Sequence, residues 1–324
     1  MRRLVTIAAV LVLIAIAALA AVIALDAPQT PATMKSVSDP FAGVDFSGVP
    51  PKQHYAARDG TALVYRAYPG DPKRIVVLIH GSSGTTEGMH LVARDIRARG
   101  ATVYALAMRG HDGTGRSGDI DYIGQLTDDL ADFMAVLRPL HAGASFSLIG
   151  FSSGGGFVLR VIASPLETLF DRFIMISPAL PPGAPTIRPD TGGWVSIALP
   201  RIIALSILNQ IGINWFNGLP IIAFATSPTA PNLTSVYSFR LAIGFGATRD
   251  YLAAIGRSTK PAALLVGGAD ELFYPDRFAP LFAPARSDMA VTIVPGVGHI
   301  GMTLAPDGVA AVRKAFLALT APKA

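Results

Sequence analysis

Hydrophobic and polar positions divide this chain into regimes of different period. Leu4 to Leu25 is an apolar run of 22 residues broken only by Thr6. As a helix rising 1.5 Å per residue it spans roughly 33 Å, enough for a bilayer core. No face of such a helix could meet water, which argues against a core helix of a soluble domain. Asp26 to Pro51 is rich in Pro, Ser, Thr and Ala and reads as a linker that lifts the following domain off the membrane. From there short apolar runs alternate with segments of helical period. His54 to Ala57 and Ala62 to Tyr68 are strand-like around Arg58-Asp59-Gly60, where Asp-Gly is a hairpin turn. Ile75 to Ile79, Thr102 to Leu106, Phe146 to Ile149, Arg172 to Ile176, Ala262 to Val266 and Ala290 to Val294 are further strand candidates. The continuous β-branched run Ile75 to Ile79 is the mark of a strand buried on both faces of a parallel sheet. Helical spacing between them, at about 88–99, 123–137 and 306–319, completes an α/β alternation.

That rhythm breaks once. Residues 179–258 are rich in Pro and Gly with very apolar patches, and Arg201 is the only charge between Trp194 and Ala225. The pattern predicts a lid inserted between two strands of the sheet. The expected organisation is therefore a membrane-spanning segment at 1–25, a linker at 26–51, a core of 52–178 with 259–324, and the insertion at 179–258.

The flanks of the first segment orient it. Arg2 and Arg3 precede the apolar run and Asp26 follows it, so the positive-inside rule puts the remainder outside the cytoplasm, on the periplasmic side in a bacterium. A cleaved signal peptide is the alternative, with Ala18-Leu19-Ala20 as its processing site and secretion as the result. Signal peptides carry about 7–15 apolar residues, whereas here the run continues through Leu25, which favours an uncleaved anchor.

Composition changes the picture in two ways. A formal charge of +5 comes from scattered Lys and Arg with no basic run longer than two, so nucleic acid is not an expected partner. The chain has no cysteine, which excludes disulfides, a thiol nucleophile and Cys-ligated zinc.

The candidate chemistry centres on Gly150-Phe151-Ser152-Ser153-Gly154, a G-x-S-x-G between a strand pattern and a helix pattern. A sharp strand-to-helix turn of this kind pushes a serine Oγ into the open, and glycines two residues either side avoid collisions with neighbouring backbone. A serine needs a base, and the base a third group to orient it. Of six histidines only His299 follows Ser152, in the loop Pro295-Gly296-Val297-Gly298-His299. Asp270, at the carboxyl end of the strand Ala262 to Val266, is the candidate orienting acid. Glu271 is chemically competent too, but a neighbour in an extended loop points the other way. The oxyanion of an acyl-transfer intermediate requires backbone N–H donors. Ser153 N–H supplies one at a helix start, and Ser82 N–H, in the loop His80-Gly81-Ser82 after Ile75 to Ile79, the other. His80 is expected to shape that loop. His111 and Asp112 lack the clustered partners that a metal site demands.

These pieces together resemble the α/β-hydrolase superfamily, and within it bacterial lysophospholipase and monoacylglycerol-lipase-like serine hydrolases. The resemblance runs from about His54 to Leu319 and rests on HGSSG at 80–84, RGHDGTGRSGD at 109–119, GFSSGG at 150–155, GGADELF at 267–273 and GVGH at 296–299. Ala107-Met108 stands where such relatives often carry Pro-Asp. The resemblance implies a mostly parallel sheet flanked by helices, a Ser152–His299–Asp270 triad and an acyl-enzyme that needs no cofactor. It implies carboxylic esters, lipid-like monoacyl esters among them, as substrates. Acyl transfer, amide hydrolysis and a silent binding role share the same fold and remain as alternatives.

Overall fold

A computed structural model describes residues 2–227 and 232–321. The chain opens with α1 (Arg2–Leu25) and α2 (Lys35–Ala42), then β1 (Gln53–Ala56), β2 (Ala62–Tyr68) and β3 (Asp71–Ile79). Next come α3 (His90–Arg97), β4 (Ala101–Leu106), α4 (Gln125–Leu140), β5 (Ser145–Phe151), α5 (Ser153–Ile162) and β6 (Arg172–Ile176). The inserted stretch holds β7 (Val195–Ile197), α6 (Leu199–Gln210), β8 (Pro220–Phe224), β9 (Val236–Ser238), α7 (Phe239–Gly244) and α8 (Tyr251–Arg257). The chain ends with β10 (Ala262–Gly267), α9 (Phe278–Phe282), β11 (Ala290–Val294), α10 (Gly301–Leu304) and α11 (Pro306–Thr320).

Eight strands form one sheet in the order β1-β2-β4-β3-β5-β6-β10-β11. β1 and β2 pair antiparallel around the Asp-Gly turn, and β2 pairs antiparallel with β4. All other neighbours are parallel. The burial of consecutive residues follows from this position: Ile75 to Ile79 on β3 and all of β10 are covered by helices on both faces. β11, at the edge, is largely exposed. Parallel strands end on the same side, so the loops after β3, β5, β10 and β11 gather at one edge of the sheet, where α/β sites form.

The insertion carries its own three-stranded antiparallel sheet, β7-β8-β9. A bidentate ion pair joins it to the core: Arg240 Nε and Nη2 donate to Asp119 at 2.8 and 2.6 Å. The end of α1 packs against α6. There Ile23 is buried with Leu205, Leu208, Ile221 and Phe239 in a hydrophobic cluster separate from the main core. Arg201 is itself buried and reaches Pro220 O and Ala24 O. α1 is one helix long and apolar enough to cross a membrane by length and composition.

The stretch 26–51 differs from the spacer expected. α2 lies on the domain with Val37 buried and Met34, Phe41 and Val44 packed against the main core. Those four residues recur at intervals of three and four, a helical stripe hidden among Pro, Ser and Asp.

Candidate active site

The turn between β5 and α5 is built on forced backbone geometry. Ser152 has φ 54° and ψ −117°, a region that L-residues occupy at a cost of order 1–3 kcal/mol unless the surroundings hold them there. Ser152 N–H donates to Ile176 O at 2.8 Å, and Ser152 O accepts Gly156 and Ala179 N–H, both at 2.9 Å. The turn is closed because the flanking glycines allow close approach. A Cβ on Gly150 would lie 2.1 Å from Gly154 O, and one on Gly154 would lie 2.4 Å from His80 O.

Asp270 follows β10 and His299 follows β11. His299 Nδ1–H donates to Asp270 Oδ2 at 2.8 Å. Asp270 Oδ1 accepts Leu272 and Phe273 N–H at 2.9 and 3.0 Å, so both carboxylate oxygens are engaged. Burial pushes this carboxyl up, but the charge and hydrogen bond of His299 and the two backbone donors outweigh it and hold it below the usual value. Asp270 therefore stays ionised at neutral pH and fixes the imidazole with Nε2 turned outward. Ser152 and His299 line the same cavity, but Ser152 Oγ and His299 Nε2 do not hydrogen-bond directly. Such contacts are commonly loose without substrate and tighten in its complex.

Glu271 makes no hydrogen bond to the imidazole nitrogens, yet it is bound to the same loop. Its Oε2 accepts His299 N–H at 2.8 Å. The residue order suggested a bystander; only the fold brings that carboxylate back across the base of the histidine loop.

The loop after β3, where Ser82 lies, is similarly over-determined. His80 Nδ1–H donates to Gly81 O at 2.7 Å and His80 Nε2 accepts Met108 N–H at 3.1 Å. Both nitrogens are thus committed, and burial lowers the histidine below its usual value, which keeps it neutral. Ser83, at φ 61°, donates its N–H to Tyr237 Oη, and Gly84 N–H donates to Gly81 O. Ser82 N–H and Ser153 N–H find no acceptor among the described residues.

His111 and Asp112 are placed by protein contacts. Arg109 holds their loop through two bonds to Asp129, at 2.9 and 2.8 Å, and an ion pair to Asp59. Asp112 binds Lys52 and Thr86, and His111 meets Tyr237. No group of three or more potential metal-ligating side chains occurs among the described residues. The cavity beside Ser152 is mainly apolar, walled by Val37, Phe41, Met89, Phe151, Trp194 and Leu272. The contributions of Val37 and Phe41, from the stretch read as a linker, and of Trp194 were not visible in the motifs.

Residues 70–303 match the family described as serine aminopeptidase, S33. A monoacylglycerol lipase of Mycolicibacterium smegmatis is 32% identical over 110 residues, which are 32% of this chain and 38% of that protein. The matched stretch is therefore well under half of that relative's length. Among solved structures, a soluble variant of monoglyceride lipase from Saccharomyces cerevisiae superimposes with a TM-score of 0.64 at 18% identity, covering 86% of this chain and 97% of that one. Monoacylglycerol lipase from Paleococcus ferrophilus gives 0.59 at 19% identity, covering 80% and 99%. At such identities the structures speak to the fold. With the parallel sheet, the strained serine turn and a match reaching from β3 to α10, the chain belongs to the α/β-hydrolase family described as serine aminopeptidase, S33.

Proposed function

We propose that this chain is a membrane-anchored serine hydrolase that cleaves carboxylic esters, lipid-like monoacyl esters in particular, through an acyl-enzyme. The observation that carries the reading is the His299–Asp270 pair opening, with Ser152, onto one apolar cavity. In the first step Ser152 Oγ bonds to the ester carbonyl carbon while His299 Nε2 takes the hydroxyl proton. The carbonyl π pair moves to oxygen, where Ser82 and Ser153 N–H groups face the developing charge. Collapse expels the alkoxide, which leaves as an alcohol with the proton from His299. Water, deprotonated by His299, then attacks the acyl-serine carbonyl; collapse breaks the bond to Ser152 Oγ, which takes the proton back from His299 as the acid departs.

The lipid assignment draws on the apolar cavity wall and on the names of the monoacylglycerol lipases above. It also draws on the surface of the insertion. Leu199, Ile203 and Ile207 repeat every four residues along α6 and are exposed, and so are Ile211, Trp215 and Phe216 beyond it. A surface this apolar, beside the end of α1, suits contact with the bilayer that α1 would span. Arg2 and Arg3, at the start of α1, favour a catalytic domain outside the cytoplasm.

The test uses the full chain in its own membranes. Ser152→Ala should abolish turnover and fluorophosphonate labelling, whereas Ser153→Ala should keep both, because only its N–H is used. In wild type, kcat/KM should rise from acetate to octanoate esters, each buried CH₂ adding about 0.8 kcal/mol until the cavity is full. A monotonic fall over that series, below micelle concentrations, would refute the lipid substrate. Release of the full chain by a carbonate wash would refute the anchor.

A further inference from the structure

Three residues of the insertion are hydrogen-bonded to two consecutive residues of the oxyanion loop. Trp194 Nε1–H donates to Ser82 Oγ at 3.3 Å. Thr234 N–H donates to Ser83 O at 3.1 Å, and Tyr237 Oη accepts Ser83 N–H at 2.8 Å. Thr234 and Tyr237 are buried.

The protons at this junction can be assigned. His111 Nδ1 lies 3.2 Å from Met108 O and 3.3 Å from Arg109 O, which only accept, so Nδ1 carries the hydrogen. Its Nε2 then presents a lone pair to Tyr237 Oη, with which it is in hydrogen-bond contact. Tyr237 donates its hydroxyl proton to His111 and receives the Ser83 N–H, so the phenol and the imidazole are both satisfied, while Ser83 Oγ is buried without a partner among the described residues. Burial supports the assignment from both sides, holding His111 well below the usual histidine value and pushing the Tyr237 phenol up.

The turn thus held is an unusual one for its residues. Gly84 N–H closes onto Gly81 O at 3.2 Å, and the third residue, Ser83, has φ 61°. Positive φ at that position is what a type II turn requires and is normally supplied by glycine. A serine there relaxes to negative φ unless its N–H is held. Gly81 O, the acceptor that the turn closes on, belongs to the same peptide plane as Ser82 N–H. If the turn relaxes, that plane loses one of its fixings and the Ser82 N–H turns with it.

We propose that Tyr237 is a positioning residue for the oxyanion hole. By fixing Ser83 in its left-handed conformation it aims the Ser82 N–H at the oxygen that becomes charged during acylation, and the insertion thereby completes the catalytic machinery. The proposal rests on the reading of this chain as a serine ester hydrolase.

The decisive variant is Tyr237→Phe, which removes only Oη and keeps the ring against Phe224 and His111. Full-length enzyme should lose about tenfold to hundredfold in kcat with little change in KM, since misaiming a donor costs somewhat less than deleting one. Affinity for an octyl trifluoromethyl ketone, which adds to Ser152 and places an oxyanion in the hole, should fall by the same factor. Affinity for 1-octanol, which forms no oxyanion, should not change. Wild-type kcat and ketone affinity would overturn the proposal, and so would a lowered Tm with ketone affinity intact, which marks a purely structural role. If Tyr237→Phe does not accumulate as folded protein, Trp194→Phe loosens the same loop from the insertion by removing the bond to Ser82 Oγ. The ketone-to-octanol affinity ratio should then fall, and an unchanged ratio overturns the proposal. Full activity in Ser152→Ala would instead remove the hydrolase reading beneath it.

Discussion

Asp270 and Glu271 are adjacent carboxylates with opposite tasks, and the difference lies in where each acceptor points. Asp270 Oδ2 receives the imidazole Nδ1–H, while Glu271 Oε2 receives the backbone N–H of the same histidine. An amide at Asp270 can present its NH₂ to Nδ1 and stabilise the wrong tautomer, a loss on the order of 10⁴ in kcat in comparable triads. Asp270→Asn should therefore be nearly inactive, with ester hydrolysis by folded protein as the measure. Glu271→Gln still offers an oxygen to His299 N–H and should stay within a few-fold of wild type. The reverse ranking would transfer the orienting role to Glu271. Chain order and residue chemistry were enough to nominate Ser152, His299 and Asp270. They could not reveal the Glu271 contact, which depends on how the loops after β10 and β11 cross.

At the scale of elements, the most consequential contact joins the apolar N-terminal helix to the insertion. Asp26, one residue past α1, accepts Arg201 N–H through Oδ2 at 2.9 Å, within the first turn of α6. The first N–H groups of a helix have no partner within it, and a carboxylate there also meets the positive end of the helix dipole. Side-chain caps of this kind contribute about 1 kcal/mol, so Asp26→Ala should raise the opening equilibrium of α6 roughly fivefold. Hydrogen exchange over residues 199–210 would measure it, and unchanged protection would show that α6 stands without this cap. The period of Leu4 to Leu25 was plain in the sequence, but its partner was not. α6 is apolar on nearly every side, so its pattern does not say which face meets α1 and which is left exposed. α2 was missed for a related reason, since prolines and serines mask a short stripe of four apolar residues.

For the whole molecule, burial of neutral histidines ties stability to pH. Desolvation lowers His80, His90 and His111 below the usual value of 6.5, most strongly His111. In each case the unfolded chain binds the proton more readily than the folded one. Their contribution is therefore complete above about pH 6.5 and is lost as pH falls toward the folded-state values. Each proton taken up on unfolding lowers stability by about 1.4 kcal/mol per pH unit. Urea midpoints of the full chain in detergent should thus drop steadily between pH 6.5 and 5, and His111→Gln should flatten that slope. An equal slope in the variant would mean that His111 is not among the groups responsible. What the sequence determined by itself was local or periodic: the long apolar N-terminal helix, the α/β alternation, and a serine turn whose glycines and neighbours are contiguous. Such features are legible because a strand, a helix and a tight turn each impose their demands within a few residues. The tertiary structure alone decided the contacts between loops distant in sequence: Glu271 under His299, Asp26 on α6, Val37 and Phe41 in the cavity wall, and Tyr237 on Ser83. Each of these joins side chain to backbone or packs irregular surface, and neither leaves a period or a spacing in the chain.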